Sequence, residues 1–171
     1  MGYPVYDADQ RGRYLQTHNR KLIEEMAALL GEDIIVNNQV DRKKVAQRVF
    51  RNPELLEKLN QLVHPRVKED FEQWARAQSD PLLFKESALL VETGTYRECD
   101  ALVFVKASKQ IRVARVMARD GVTESEVKSR IDRQMKDEEK TAVSDYIVVN
   151  DDQCALIPQV EQLVELLLTR K

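Results

Sequence analysis

Four short apolar runs, set far apart and separated by stretches with helical spacing, constrain this chain more than any other feature. They are "PVY" at 4–6, "PLLFKES" at 81–87, "DALVFVKA" at 100–107 and "DYIVVND" at 145–151. Brief, uninterrupted and often β-branched, they read as strands buried on both faces. Between them, Leu22, Ile23, Met26 and Leu30 mark one helical face that Gly31 ends. Asp41 is placed to cap a helix carrying Val45 and Val49, and Asn52-Pro53 starts another presenting Leu55, Leu59, Leu62 and Val63. A further helix after His64-Pro65 shows Val67, Phe71 and Trp74, and a final one carries Leu156, Val160, Leu163, Val164 and Leu167. Strands alternating with helices predict an α/β fold with a parallel sheet. The block from about 19 to 79 is helical throughout in pattern and reads as an insertion between two strands.

A length of 171 residues suits one domain with a real core. The net charge of −2 supplies no basic field, so nucleic acid is not an expected partner. No apolar run approaches the roughly 18 residues of a membrane span, and the first residues lack a signal-peptide layout. With Cys99 and Cys154 far apart and outside any metal-ligand spacing, the expectation is two free thiols in a cytoplasmic protein.

The opening "MGYPVYDAD" has the signature of a helix end, with glycine past the last turn and proline shortly beyond. No helix precedes it, so the expectation is a chain whose natural start lies further upstream, with Met1 as the last apolar residue of that helix.

The chemistry-bearing residues gather at strand ends. Asp7 and Asp9 follow the first run, at the edge where open parallel sheets bind ligands. There a carboxylate can accept a proton from an alcohol or hold Mg²⁺; equally, Asp9 can cap the helix that follows. Glu86 ends the second run, where a carboxylate can bind Mg²⁺ or its waters, or merely face solvent. Arg112, Arg115 and Arg119 fall on one helical face, with Arg130 and Arg133 on the next helix. Such a row can clamp phosphates or form a solvated stripe. Gly121 and the capping box Thr123/Glu126 between them make a helix–turn–helix flap that could fold over a nucleotide. His64 reads as an interhelix contact, and Asn150 as a turn former or a partner for a base or ribose.

In this order the stretches "GYPVYDAD", "LNQLVHPRV", "SALLVETG", "RVMARDG" and "VSDYIVVNDD" resemble the dephospho-coenzyme A kinases, a family of P-loop kinases. The resemblance spans essentially all of the chain. It implies a P-loop-kinase-like parallel sheet flanked by helices. A helical substrate-binding insertion occupies about 19–79 and a lid about 112–144, all within one kinase-like domain. It also implies ATP-dependent phosphorylation of the ribose 3′-hydroxyl of dephospho-CoA, the last step of coenzyme A synthesis, with Mg²⁺. Carried over by motif, Asp9 is the base that takes the hydroxyl proton, and Arg115 stabilises the transferring group. Arg119 and Asn150 serve the nucleotide. Asp7, Arg13, His64 and Glu92 serve dephospho-CoA, and Glu86 holds the metal.

The chain departs from the family pattern at Ser87-Ala88, at Val91 and at "NDD", which lacks the customary glycine. The largest departure is the first strand, G-x-x-G-x-G-K-[ST] loop and helix, a unit of about 30 residues. No G-x-x-x-x-G-K-[ST] occurs in the sequence. Two expectations follow: weak kinase activity, and a sheet broken where a central strand belongs, with unpaired edges prone to association. The alternatives are a non-catalytic remnant that binds CoA or nucleotide, and another small-molecule P-loop kinase with a similar lid.

Overall fold

The computed structural model describes residues 2–50 and 52–170. They form two compact units, Met1–Ala88 and Leu89–Lys171. Met1, assigned above to the end of an upstream helix, lies outside the described residues. Among the described residues no helix is long and apolar enough to cross a membrane.

In the first unit, β1 (Val5–Asp7) runs straight into α1 (Ala8–His18). Asn19 then caps α2 (Arg20–Leu30), its side chain accepting from the Leu22 backbone N–H at 3.0 Å. Gly31 ends α2 as its spacing predicts, at φ +100°, a conformation that side chains rarely adopt. A Cβ there would also sit 2.6 Å from the Arg48 guanidinium. After a 3₁₀ turn come β2 (Ile35–Val36) and β3 (Gln39–Val40), an antiparallel hairpin that corrects the reading of 19–79 as purely helical. Its turn residues Asn37 and Asn38 both have positive φ, 52° and 62°. Asparagine tolerates that conformation, which two-residue hairpin turns require. The Asn-Asn pair was the signal for it.

Asp41 caps α3 (Arg42–Phe50), accepting from the N–H groups of Lys43 and Lys44. Asn52 caps α4 (Pro53–Arg76). Two helices meeting at His64-Pro65 were expected, but α4 is one 24-residue helix with Pro65 inside it. Proline removes one i→i−4 hydrogen bond and crowds the preceding turn. Apolar packing on either side holds the helix together here. Leu59 and Val63 precede the proline and are buried in a cluster with Leu15, Leu22, Met26, Leu30, Ile34, Val40 and Val45, while Val67 packs on it from beyond.

β4 (Phe84–Glu86) lies parallel to β1, with Asp7 beside Glu86 in the register. The ladder is shorter than the run "PLLFKES". Further along α4, Phe71 and Trp74 hold Tyr6 of β1 by ring contacts at 5.1 and 5.4 Å.

The second unit contains β5 (Val103–Lys106), α5 (Lys109–Asp120), α6 (Glu124–Ile131), α7 (Asp137–Val143), β6 (Tyr146–Val149) and α8 (Leu156–Thr169). β5 and β6 are parallel. The parallel sheet expected from the alternation thus takes the form of two-stranded parallel pairs, one in each unit. Gly121 ends α5 at φ +66°, and Thr123 and Glu126 form the complete capping box at the start of α6, both as read from sequence. α8 packs on β6 and buries Leu163 and Val164, while Leu156 and Ile157 stay exposed. Gln159 of α8 does what a neighbouring strand would do: its side-chain amide pairs with both the N–H and the C=O of Val149, at 2.8 and 3.0 Å.

Candidate functional site

Three carboxylates of the first unit, those of Asp7, Asp9 and Glu86, lie at the C-terminal end of the β1–β4 pair. Asp7 is the N-cap of α1, its Oδ1 accepting from the Gln10 N–H at 2.8 Å. The capping role open to Asp9 in the sequence therefore belongs to Asp7. Asp9 sits in the first turn of α1 and is steered by the chain just beyond β4: Oδ1 accepts from Ser87 Oγ at 3.2 Å and Oδ2 from the Ala88 N–H at 3.3 Å. Ser87-Ala88, a departure from the family pattern, is thus the pair that orients Asp9. Glu86 completes the group. Desolvation pushes its carboxyl above the usual range, and the negative charges of Asp7 and Asp9 push it further. Among the described residues no group of three or more His, Cys, Asp or Glu side chains is arranged to cage a metal ion.

The basic residues of α1 divide. Arg11 closes a bidentate pair on Asp70 of α4, with Nη2–Oδ1 at 2.6 Å and Nε–Oδ2 at 2.8 Å. The buried Tyr6 hydroxyl donates to the same carboxylate at 2.7 Å. The guanidinium holds the Asp70 carboxyl below the usual range, overcoming the opposing effect of burial. Burial and the Asp70 charge raise the Tyr6 phenol well above its ordinary value. Arg13, two residues on, is exposed, and its guanidinium has no acid partner among the described residues. His64 lies mid-way along α4; desolvation lowers its pKa against the opposing charge of Glu57. Asp70, which anchors the β1–α1 junction to α4, was missed in the sequence. Nothing local marks it, because its partners are 59 and 64 residues away.

In the second unit the arginine row does not act as one clamp. Arg112 pairs with Asp137 at the start of α7 at 2.8 Å. Arg119 pairs with its exposed neighbour Asp120 at 2.7 Å. Arg115 turns to the segment after β6. Nη1 donates to the Asn150 carbonyl and Nη2 to Asn150 Oδ1, both at 3.1 Å, and Nη2 also donates to Asp152 Oδ1 at 2.5 Å. The sequence-selected pair Arg115 and Asn150 is thus brought into direct contact, with Asp152 as a third member.

Glu92 is engaged within its unit. It takes the ammonium of the buried Lys140 at 2.8 Å and the Met135 N–H at 3.0 Å. Burial works against its charge, but these hydrogen bonds win and leave its carboxyl below the usual range. Lys140 was not singled out in the sequence; a lysine on a helix of mixed charge carries no sign of being buried.

Comparison with known proteins identifies the family. The family model described as dephospho-CoA kinase matches residues 1–155. The dephospho-CoA kinase of Porphyromonas gingivalis is 34% identical over 172 residues, covering 100% of this chain and 85% of the relative. The crystal structure of a Thermus thermophilus protein superposes with a TM-score of 0.88 at 32% identity, over 99% of this chain and 86% of that one. A dephospho-CoA kinase from Campylobacter jejuni shares the fold, with a TM-score of 0.64 at 22% identity over 96% of this chain and 83% of its own. By its sequence along nearly its whole length and by its α/β architecture, the chain belongs to the dephospho-CoA kinase family.

Proposed function

We propose that the chain carries the acceptor-side and lid machinery for phosphorylating the ribose 3′-hydroxyl of dephospho-CoA with ATP, giving CoA. The observation that carries this reading is Asp9. In a chain of this family, it is a carboxylate in the first turn of a helix at the C-terminal end of a parallel pair, oriented by Ser87 Oγ and the Ala88 N–H.

Asp9 accepts the 3′-hydroxyl proton as the oxygen attacks the terminal phosphorus of ATP. The attacking oxygen is then bound to phosphorus and ADP leaves with the electron pair of the broken bond. Asp7 holds α1 in place through its capping bond, so that Asp9 faces the acceptor. Arg13, with no acid partner among the described residues, and His64, whose charged form desolvation disfavours, serve the anionic and hydrogen-bonding groups of dephospho-CoA. Arg115 neutralises charge on the transferring phosphoryl group, and Arg119 and Asn150 attend the nucleotide. Glu92, paired with Lys140, supports this machinery by fixing the segment at Met135 rather than by meeting substrate first-hand.

Glu86, at the C-terminal end of β4, fits Mg²⁺. The donors are hard oxygens, one or two carboxylates are what Mg²⁺–nucleotide sites use, and the mutual repulsion that raises Glu86 is what a cation relieves. Bound there, the ion would neutralise phosphate charge.

Phosphoryl transfer rests on positioning and charge neutralisation, to which a glycine-rich phosphate loop contributes heavily. The sequence has no G-x-x-x-x-G-K-[ST], and the chain as given is expected to turn over slowly. ADP release coupled to dephospho-CoA tests the reading. Slow release, raised strongly when the chain is joined to a strand–loop–helix unit carrying that motif, supports it. Normal turnover by the chain alone overturns the expected impairment. Calorimetry showing no preference for dephospho-CoA over AMP or simple alcohols would overturn the substrate.

A further inference from the structure

We infer that Asp152 sets the strength of phosphate binding by standing in for a nucleotide phosphate on Arg115. This rests on the reading of Arg115 as a phosphate ligand. Of the three acceptors that Arg115 meets, two are neutral atoms of Asn150, the main-chain carbonyl and the side-chain Oδ1. Among the described residues the only anion on it is Asp152 Oδ1, on Nη2. A carboxylate oxygen and a phosphate oxygen are the same class of partner for a guanidinium, and both favour the same fork of N–H groups.

The two kinds of contact differ in permanence. The carbonyl belongs to the backbone directly after β6, where the Asn150 N–H is itself bonded to the Lys106 carbonyl at 2.8 Å, so it stays when a ligand arrives. The Asp152 side chain is 70% exposed and bears on a guanidinium that is 39% exposed, a setting in which ion pairs are weak and exchange readily. Asp151 is turned elsewhere, its Oδ1 accepting from the N–H groups of Gln153 and Cys154 at 3.0 and 2.9 Å. Asp152 has a positive φ of 64°, a left-handed conformation that aspartate tolerates and that glycine would adopt freely. Asn150 thus aims Arg115 and Asp152 occupies it until phosphate displaces the carboxylate.

The test is calorimetry on the whole chain with Mg²⁺·ATP and with adenosine, for the native protein, Asp152→Asn, Asp152→Gly, Arg115→Gln and the pair Arg115→Gln/Asp152→Asn. Competition predicts ATP binding about two- to fivefold tighter in both Asp152 variants, the range that surface ion pairs span. Adenosine affinity is unchanged, and Asp152→Asn gives no gain once Arg115 is gone. If Arg115→Gln weakens ATP but neither Asp152 variant tightens it, the inference fails and the role of Arg115 stands. A gain that extends to adenosine, or that persists without Arg115, also overturns the competition. If Arg115→Gln leaves ATP binding unaltered, the reading of Arg115 falls and the inference with it.

Discussion

Asp70 receives both prongs of the Arg11 guanidinium, at 2.6 and 2.8 Å, and joins the helix that begins beside Asp9 to a turn of α4 more than fifty residues further on. Removing the carboxylate strands two donors, Arg11 and the buried Tyr6 hydroxyl. Asp70→Ala is expected to cost about 2 kcal/mol in urea unfolding, and Tyr6→Phe about 1 kcal/mol. The pH dependence has a definite sign. A carboxyl whose folded pKa is depressed contributes stability that is present above its unfolded value, about 4, and lost as pH falls through the folded value. The urea midpoint of the native protein therefore drops on acidification below that range, and in Asp70→Asn the drop is shallower.

Glu86 has the opposite sign. Its folded pKa is raised, so its ionised form weakens the fold, and stability is regained as pH falls through the folded value. Glu86→Gln should stabilise the protein at pH 7 by about 0.5 kcal/mol or less, the group being exposed. It should lose Mg²⁺-dependent ADP release at the same time. Equal or lower stability at pH 7 would contradict the proposed electrostatic strain.

Asp9 and Asp7 should separate cleanly when the chain is joined to a phosphate-loop unit. Asp9→Asn is expected to lower dephospho-CoA-dependent turnover by about 10²- to 10⁴-fold, the usual contribution of a general base, with substrate affinity kept. Asp7→Asn retains a side-chain cap for the Gln10 N–H and should keep most of the rate. If Asp7→Asn loses the rate and Asp9→Asn keeps it, the roles reverse.

The Glu92–Lys140 pair should behave as a buried ion pair. Lys140→Met alone leaves an uncompensated carboxylate and is expected to cost about 3 kcal/mol. The double change Glu92→Gln/Lys140→Met should recover much of this loss. Thermal unfolding of the four proteins in the cycle measures the coupling, and simple additivity would show the pair to be inconsequential.

The local elements were legible because their determinants are local. Asp41, Asn52 and Thr123 bond to N–H groups two or three residues on, Gly31 and Gly121 supply conformations that no neighbour can provide, and apolar spacing alone selects the buried stripe of α2. Asp9, Arg115 and Asn150 could be picked out by motif. Where locality ended, the reading slipped. Pro65 signalled a break, but packing on both sides of it keeps α4 whole; the Asn37-Asn38 turn was passed over within a helical pattern. Asp70, Lys140 and Asp152 gained their roles only in three dimensions, from partners 37 to 64 residues away in sequence. Sequence by itself determined the alternation of strands and helices, the caps at Gly31, Asp41, Asn52 and Thr123, and the family. Tertiary structure decided which charges meet, because an ion pair depends on where packed helices set two side chains and not on the spacing of either along the chain.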